Sequence, residues 1–431
     1  MTRHKLLYMA HVLPEWYEAH KRDLPWRGTG NPYDVWLSEI MLQQTRVEAV
    51  KAYFLRFKEA LPEIAALAAC PDDRLMKLWE GLGYYSRVRN LRKCAQILVS
   101  QYGGQLPADY HALLKLPGIG SYTAGAIASI AFSLPVPAVD GNVLRVYARI
   151  TGDASDIALP QTKKSLEAVL TDVIAEASKE KIEKNKRAEG DGKIKSSENA
   201  EKSPAVFSPG IFNQALMELG ATVCVPNGAP DCTACPVRNI CTAHEEGRIA
   251  ELPVKSGKKP HRIEERTVVI LQDGDRFLIQ KRPDSGLLAG LYEFPSLPGK
   301  LPEKEVLAAV EKLGFDPVHI RKLPDAKHIF THVEWRMQGY LVKLAAESRA
   351  AACRLTGNKL MKNRLIENQG KTRRLSNHEL TEPADAEKNP EEMWIKPEHL
   401  FVTKEETAAV YALPSAFGAF AKELQISQKQ K

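Results

Sequence analysis

Two hydrophobic periodicities divide the chain. Up to about residue 245, apolar residues recur at the three- and four-residue spacing of helices that have one buried face. From about residue 263, apolar and polar residues alternate, as in RTVVILQDGDRFLIQKR at 266–282. Asp273 and Gly274 at its centre predict a hairpin, and a helix at 302–314 and a strand pair around 328–335 follow. The pattern predicts a multidomain protein, an all-helical domain followed by an α+β domain.

Changes of composition give the domain boundaries. We expect the helical domain at 1–245, a linker rich in Lys, Pro and Gly at 246–262, and the second domain at 263–424. Two charged segments that are poor in large apolar residues, 178–208 and 344–390, interrupt them. We interpret the first as a disordered insertion or long surface loop and the second as a mobile polar loop.

Composition and charge narrow the class of protein. Apolar residues make up 44% of the chain, which is ordinary for globular proteins. The net charge of +7 is compatible with binding to nucleic acid but does not require it. The amino-terminal residues form no apolar run of signal-peptide type, and no segment predicts a membrane span. We therefore expect a cytoplasmic protein, associated with the nucleoid if it is bacterial and acts on DNA.

The stretch 113–149 contains two features in succession, a glycine turn between two helices and an aspartate at the start of a third helix. A helix ends at LPGIG, where Gly118 and Gly120 allow a sharp turn, and Ser121 can cap the next helix. The turn and that helix terminus predict a binding site for a phosphate of a long polyanion. Asp140 then opens another helix, whose amides should keep its carboxyl ionised. Taken singly, these features are typical of an ordinary turn and an ordinary cap, whereas together they indicate chemistry on a nucleic acid.

A carboxyl group also occurs on an apolar helix face near the amino terminus. Asn31 and Pro32 predict the start of a helix that carries Val35, Trp36 and Glu39. Since Glu39 shares the face of both apolar residues, desolvation should raise its pKa and suit it to proton donation. The alternative is an exposed glutamate at the edge of that face.

Four of the seven cysteines form a cluster with the spacing C-x7-C-x2-C-x5-C. They are Cys224, Cys232, Cys235 and Cys241. Clustering of this kind does not suggest a secreted disulfide framework and strongly indicates a metal site. The ligand type alone leaves both zinc and an iron–sulfur cluster open.

Four segments carry a resemblance to a known family: LSEIMLQQTRVEAV, GLGYYSRVRNL, LPGIGSYTAGAIAS and VDGNVLRVYAR. Together they resemble the adenine DNA glycosylases of the MutY type, in the helix-hairpin-helix-GPD superfamily. The resemblance covers about residues 6–150 and resumes at 210–245. It implies a helical glycosylase domain with an iron–sulfur loop, followed by a Nudix-like α/β-type domain that recognises the lesion.

By matching position, the resemblance implies roles for several residues. Glu39 would be the general acid, Asp140 the carboxylate that faces the sugar, and Asn142 a neighbour that orients water. Tyr122 would line the pocket, and Arg27 would hold the flipped base. The Gly118, Gly120 and Ser121 turn would bind DNA phosphate. The four cysteines would hold a [4Fe–4S] cluster, although the first gap of seven residues is one longer than usual and has no Lys or Arg.

Two further groups would read the lesion pair. Leu82 lies between two glycines and before Tyr84, so this loop could wedge between base steps, although a helix end with buried aromatics is the more general interpretation. In the family this loop and the residues Gln43, Gln44 and Thr45 lie at the lesion pair. In the second domain, Phe330, Thr331 and His332 match the loop that reads 8-oxoguanine. The segment GKLPEKEVLAAVEKLGF lacks the acidic core of a working Nudix hydrolase, so we expect recognition without hydrolase activity.

The expected reaction is hydrolysis of the N-glycosidic bond of adenine mispaired with 8-oxoguanine or guanine in double-stranded DNA. Bifunctional relatives have a nucleophilic lysine where this chain has Ser121, so we expect a monofunctional enzyme. We also expect a monomer that does not bind membranes. Two other classes stay open: a mismatch-binding protein without activity, and a glycosylase for thymine opposite guanine. The first would not need Glu39 and Asp140, and the second would not need the loop at 330–332.

Overall fold

A computed structural model describes residues 2–190, 207–257, 260–345, 394–395 and 399–425, with the backbone alone for 181–190. The chain divides into two compact units. Unit 1 comprises residues 1–70 and 87–258, and unit 2 comprises residues 71–86 and 259–431. Among the described residues, no helix has both the length and the apolar character needed to cross a membrane.

The described part of the chain up to residue 257 is helical. The helices are α1 (Thr2–His20), α2 (Pro32–Leu42), α3 (Val47–Ala60), α4 (Ile64–Ala69), α5 (Asp72–Trp79), α6 (Ser86–Gln101), α7 (Tyr110–Leu114), α8 (Ser121–Phe132), α9 (Gly141–Thr151), α10 (Pro160–Gly190), α11 (Pro209–Thr222) and α12 (Thr242–Glu245). Helices α1, α9, α10 and α11 bury a shared core in unit 1, with Leu13, Val146, Ile174 and Phe212 at its centre.

Side-chain caps begin the helices that position the site. The Asn31 side chain accepts a hydrogen bond from the Tyr33 amide, and Pro32 occupies the first turn of α2, as the sequence predicts. Asp140 caps α9 in the same way by accepting from the Val143 amide. Ser121 does not cap α8 as expected, because the helix already begins at Ser121 and Gly120 takes the cap position.

Two segments differ from their prediction. Residues 178–190 continue helix α10, where the sequence analysis expected disorder or a loop. Lys, Glu and Ala favour a helix even without an apolar face, since their propensities are high and opposite charges recur four residues apart. The rest of that insertion and nearly all of 344–390 lie outside the described residues. Part of the expected linker is bound to unit 1, because the Val254 carbonyl accepts from the Ile157 amide and the Asp156 carboxylate accepts from the Ser256 amide.

Unit 2 is built on a mixed sheet. Its strands are β1 (Arg262–Asp273), β2 (Arg276–Lys281), β3 (Tyr292–Glu293), β4 (Ser296–Pro298), β5 (Pro317–Ile329), β6 (Val333–Leu344) and β7 (His399–Val402). The order is β3-β2-β1-β6-β5, with β4 paired to β1 and β7 paired to β2. The predicted hairpin joins β1 to β2, and the predicted strand pair is β5 with β6. Strands β1 and β6 run parallel.

Helices cover both faces of this sheet. Helix α13 (Glu303–Lys312), where the sequence predicts a helix, packs on one face, and α15 (Gly418–Glu423) packs on the other. Helix α14 (Lys404–Ala409) lies between β7 and α15 in the chain. Because successive residues of a strand point to opposite faces, β1 contributes Val268 and Ile270 to one core and Val269 and Leu271 to the other. Helix α5 and the loop after it also belong to unit 2, although the sequence places them inside the helical domain.

Candidate active site

Glu39 lies on a helix that is buried over almost its whole length. Residues 33–41 of α2 are all buried, and the Glu39 side chain has 8% of its surface exposed. The Tyr122 hydroxyl donates a hydrogen bond of 2.5 Å to Glu39 Oε2. Burial raises the pKa of Glu39 to about 7, against the lowering effect of that hydrogen bond. This carboxyl therefore exchanges its proton near neutrality, as the sequence analysis predicts.

Asp140 is held rigidly at the start of α9. Its Oδ1 accepts from the Val143 amide at 2.8 Å, and its Oδ2 accepts from Asn142 Nδ2 at 2.6 Å. Burial raises the pKa of Asp140 although these hydrogen bonds lower it. The helix amide favours the ionised form, as the sequence analysis expects, and desolvation has the larger, opposite effect on this pKa.

Arg145 supports this arrangement from behind. Its Nη2 donates to Asn142 Oδ1 at 2.9 Å and to the Gly220 carbonyl at 2.6 Å, and its Nε donates to the Cys224 carbonyl at 2.8 Å. Gly220 is required at its position because a Cβ there would lie 2.7 Å from the Asn142 Cβ. Helix α11 thus fixes the place of Asn142 by close packing at Gly220, and Arg145 links the Asn142 side chain to the Gly220 carbonyl.

Both carboxyl groups line one cavity of about 600 Å³ in unit 1. The cavity also contains the predicted pocket residues Arg27, Gln43, Gln44, Thr45, Tyr122 and Asn142. Apolar side chains complete its walls, among them Trp26, Ile130, Val139 and Leu144. The fold thus brings together the acid, the second carboxylate and the residues expected to hold a base, which lie far apart in sequence.

A third carboxyl group in this cavity was not recognised from the sequence motifs. Glu218 on α11 has a side chain that is 1% exposed, and its two oxygens accept from Arg22 and Arg27 at 2.7 Å. Burial raises the pKa of Glu218, but these hydrogen bonds outweigh it and bring the pKa to about 2. The signal was available, because Glu218 is the one charged residue between Ile211 and Cys224. Arg27 faces the cavity as expected, and Glu218 holds its guanidinium.

The predicted phosphate site is a tight turn between α7 and α8. Gly118 has a φ of +78°, a conformation that favours glycine, and a Cβ there would lie 2.8 Å from the Asn90 Cβ. Gly120 is extended and does not need this freedom. The Ser121 hydroxyl donates to Glu167 Oε1 at 2.8 Å and accepts from Lys163 Nζ at 3.0 Å. Lys163 also lines the cavity, so a cation that the sequence analysis missed lies beside the turn.

The two predicted lesion-reading loops both lie in unit 2. The Leu82 side chain is buried, and Tyr84 is the exposed residue of the loop with 45% of its surface accessible. Of these two residues of the predicted wedge loop, only Tyr84 is therefore accessible. Thr331 and His332 are exposed at the turn between β5 and β6, and the Phe330 ring packs against Trp335 at 4.9 Å between centroids. The Tyr84 and Thr331 hydroxyls lie 3.4 Å apart.

All four clustered cysteines border one further cavity of unit 1, together with Arg149, Arg238 and His244. Arg149 Nη1 donates to Cys224 Sγ at 3.2 Å. Within the described ranges, no three Cys, His, Asp or Glu side chains are close enough to form a preformed metal site. The donor set, four thiols around one cavity, nevertheless fits the iron–sulfur cluster that the sequence analysis expects.

Comparison with known proteins follows the same division. Residues 37–176 match the HhH-GPD superfamily of base excision DNA repair proteins, and residues 266–422 match the NUDIX domain. The adenine DNA glycosylase of Mus musculus is 33% identical over 390 residues, which cover 77% of this chain and 70% of that protein. The adenine DNA glycosylase of Buchnera aphidicola subsp. Baizongia pistaciae (strain Bp) is 31% identical over 330 residues, or 76% of this chain and 84% of that protein.

The helical architecture, the turn at Gly118 and the cavity beside it are thus those of a DNA glycosylase of base excision repair, followed by a Nudix-like domain. This confirms the predicted fold class. Given the identity and coverage shared with the mouse protein, the chain belongs to the adenine DNA glycosylase family, as its sequence motifs indicate.

Glu218 gives a test of the site's electrostatics. Because its folded pKa is depressed to about 2, its contribution to stability is complete above its ordinary pKa of 4.5 and is lost as the pH falls towards 2. We expect Glu218→Gln to lower the free energy of unfolding by about 3 kcal/mol at pH 7, since two arginines lose their carboxylate. The difference between wild type and variant should shrink below pH 4.5 in urea titrations.

The matched control is Glu18→Gln, which removes an exposed carboxylate paired with Lys21. We expect a change of at most about 1 kcal/mol there. An equal loss for both variants, or a loss for Glu218→Gln that does not vary with pH, would contradict this assignment.

Proposed function

We propose that the chain hydrolyses the N-glycosidic bond of adenine mispaired with 8-oxoguanine, or with guanine, in double-stranded DNA. The observation that carries this proposal is the pair of carboxyl groups, Glu39 and Asp140, on one cavity of about 600 Å³. Such a volume lies within the range of small-molecule pockets and suits a single extruded nucleobase. The adenine DNA glycosylases that the chain resembles support the choice of base.

Glu39 is the general acid of this proposal. A pKa of about 7 leaves much of the carboxyl protonated at neutral pH. Since Tyr122 donates to Oε2, Oε1 carries the proton that is delivered. Transfer to N7 of adenine lets the base leave as a neutral molecule. The bond between the base and C1′ of the sugar then breaks with both of its electrons going to the base.

Asp140 and Asn142 act on the sugar. The departing base leaves positive charge on C1′ and the ring oxygen, and the Asp140 carboxylate faces that charge, as in two-carboxylate glycosidases. Asn142 orients the water that attacks C1′, and its own position is fixed by Arg145. The proton that this water loses returns to the Glu39 carboxylate, which restores the acid. Because Ser121 cannot form a Schiff base, we expect the reaction to end at the abasic site with the strand intact.

Glu218 and Arg27 form the polar wall that holds the extruded base. They lie on the same cavity as Glu39, and their ion pair is buried. A carboxylate and a guanidinium side by side can accept from and donate to the edge of a purine.

The base opposite adenine is read in unit 2. Adenine is an undamaged base, so selectivity must come from its partner. Thr331 and His332 present an exposed hydroxyl and imidazole at one turn, and the Tyr84 hydroxyl adjoins them. These groups can donate to and accept from 8-oxoguanine.

The four clustered cysteines would hold a [4Fe–4S] cluster. When bound, it would cross-link the loop at 224–241 beside the start of α12, which is a structural role. No step of base hydrolysis transfers an electron. We further propose a monomer located in the cytoplasm, or at the nucleoid if the source is bacterial.

The function is tested first by single-turnover release from four duplexes. We expect fast release of adenine opposite 8-oxoguanine, slower release opposite guanine, and none of adenine opposite thymine or of thymine opposite guanine. Binding without release from any duplex would indicate a lesion-binding protein. Release of thymine would indicate the other glycosylase class.

The acid is tested by Glu39→Gln together with a pH profile. With DNA below saturation, the wild-type rate should fall by up to about tenfold for each pH unit above about 8, because Glu39 loses its proton. Glu39→Gln should lower the rate by about 10²–10⁴-fold and retain DNA binding. Glu48→Gln, which changes an exposed carboxylate on α3, serves as the control. A near-wild-type rate for Glu39→Gln would exclude this role.

The cluster is tested by colour and metal content. The purified chain should be brown, absorb near 400 nm and contain about four iron atoms. Replacing Cys232 by Ser should reduce the iron content, whereas Cys94→Ser should leave it unchanged, since Cys94 is buried on α6 away from the cluster cavity. A content of one zinc ion and no iron per chain would show that the four cysteines form a zinc site instead.

A further inference from the structure

Helix α5 is attached to the rest of unit 2 through the two members of a partly buried ion pair, Lys77 and Glu80. Lys77 Nζ lies 2.7 Å from Glu80 Oε2, and the two side chains are only 17% and 14% exposed. Lys77 also donates to the Thr407 carbonyl at 3.0 Å. Glu80 Oε1 accepts from the Leu413 amide at 2.9 Å. Each charge of the pair therefore also binds the backbone that follows strand β7.

A second attachment lies at the beginning of the same helix. Asp73 Oδ1 is 3.3 Å from Lys281 Nζ on β2, and Tyr292 Oη on β3 is 3.5 Å from Asp73 Oδ2. Both ends of α5 thus bind the rest of unit 2. The helix cannot rotate or slide without breaking one of these contacts.

The loop that follows α5 turns sharply back. Gly81, Gly83 and Tyr84 have φ values of +97°, +71° and +47°. Tyr84 is the one non-glycine residue among them, so its backbone is strained and must be held by its surroundings. Its hydroxyl reaches Thr331 Oγ1 at 3.4 Å. The distance between the two loops is therefore set by where α5 is held.

We infer that Lys77 and Glu80 are positioning residues that determine selectivity for the base opposite adenine. They hold the loop at 81–85 against the loop at 330–332, so that both contact the lesion pair in one fixed arrangement. This inference rests on the proposed function.

The proposed catalytic groups do not include any residue of α5 or of the loop that follows it. The residues that line the cavity of Glu39 and Asp140 include none from 71–86. Loosening α5 should therefore leave the chemistry of base release intact and impair the reading of the partner base. Residues joined in one hydrogen-bonded network are coupled strongly enough for such a loosening to change a rate about tenfold.

The test compares release of adenine opposite 8-oxoguanine with release opposite guanine. In the double variant Lys77→Met with Glu80→Gln, the single-turnover rate opposite 8-oxoguanine should fall about tenfold, and the rate opposite guanine should stay within about twofold of wild type. Asp73→Asn should act in the same direction with a smaller loss, because its pair with Lys281 is more exposed.

Binding gives a readout that does not depend on catalysis. In the Glu39→Gln background, the same double variant should lose the preference in affinity for 8-oxoguanine over guanine. The matched control is Glu48→Gln with Lys51→Met, a pair three residues apart on α3 of unit 1. Thermal melting of each variant checks that the fold is kept.

Equal losses on both duplexes, or no loss on either, would overturn the inference while leaving the proposed function in place. Failure of the unmodified chain to release adenine from either duplex would overturn the proposed function and this inference with it.

Discussion

The burial of the Glu39 carboxyl group in a cavity wall is the constraint that the packing of unit 1 must satisfy. Removing Glu39 from water disfavours its charge, and the resulting pKa of about 7 makes it a usable acid. Helix α2 must be enclosed on all sides to achieve this, and the packing of Trp36 and Leu37 at 0% exposure shows how complete that enclosure is. The pKa of Glu39 therefore depends on the packing of all the helices that enclose α2.

Three carboxyl groups line the cavity, and their different hydrogen-bond partners give them different pKa values. Glu39 accepts a hydrogen bond from the neutral Tyr122 hydroxyl, Asp140 accepts from amides, and Glu218 accepts from two guanidinium groups. The pKa is accordingly near neutrality for Glu39 and far below its ordinary value for Glu218. One cavity thus holds two glutamates whose pKa values lie on opposite sides of the ordinary value.

The sequence allowed much of this to be predicted. Asn31 and Pro32 predicted the start of α2, and Asp140 predicted the start of α9. The alternation of apolar and polar residues predicted the hairpin at Gly274. Each of these features depends on residues that are close together in the chain. Glu218 was missed because its two arginines lie 196 and 191 residues away, and only the fold shows that they meet. Burial of Leu82 and the membership of α5 in unit 2 were missed for the same reason. Residues 178–190 were misjudged because a lack of apolar residues was taken to exclude a helix, although local propensity is sufficient there.

The attachment of α5 to unit 2 has a consequence for how the chain is made. Glu80 and the Leu413 amide that binds it are separated by 333 residues. At synthesis rates of about 5–20 residues per second, α5 leaves the ribosome roughly 20–70 s before its partner exists. Residues 71–86 interrupt unit 1 in sequence, so the contacts of α5 with the residues that follow β7 form only after that interval. For these contacts, the order of translation and the order of assembly therefore differ.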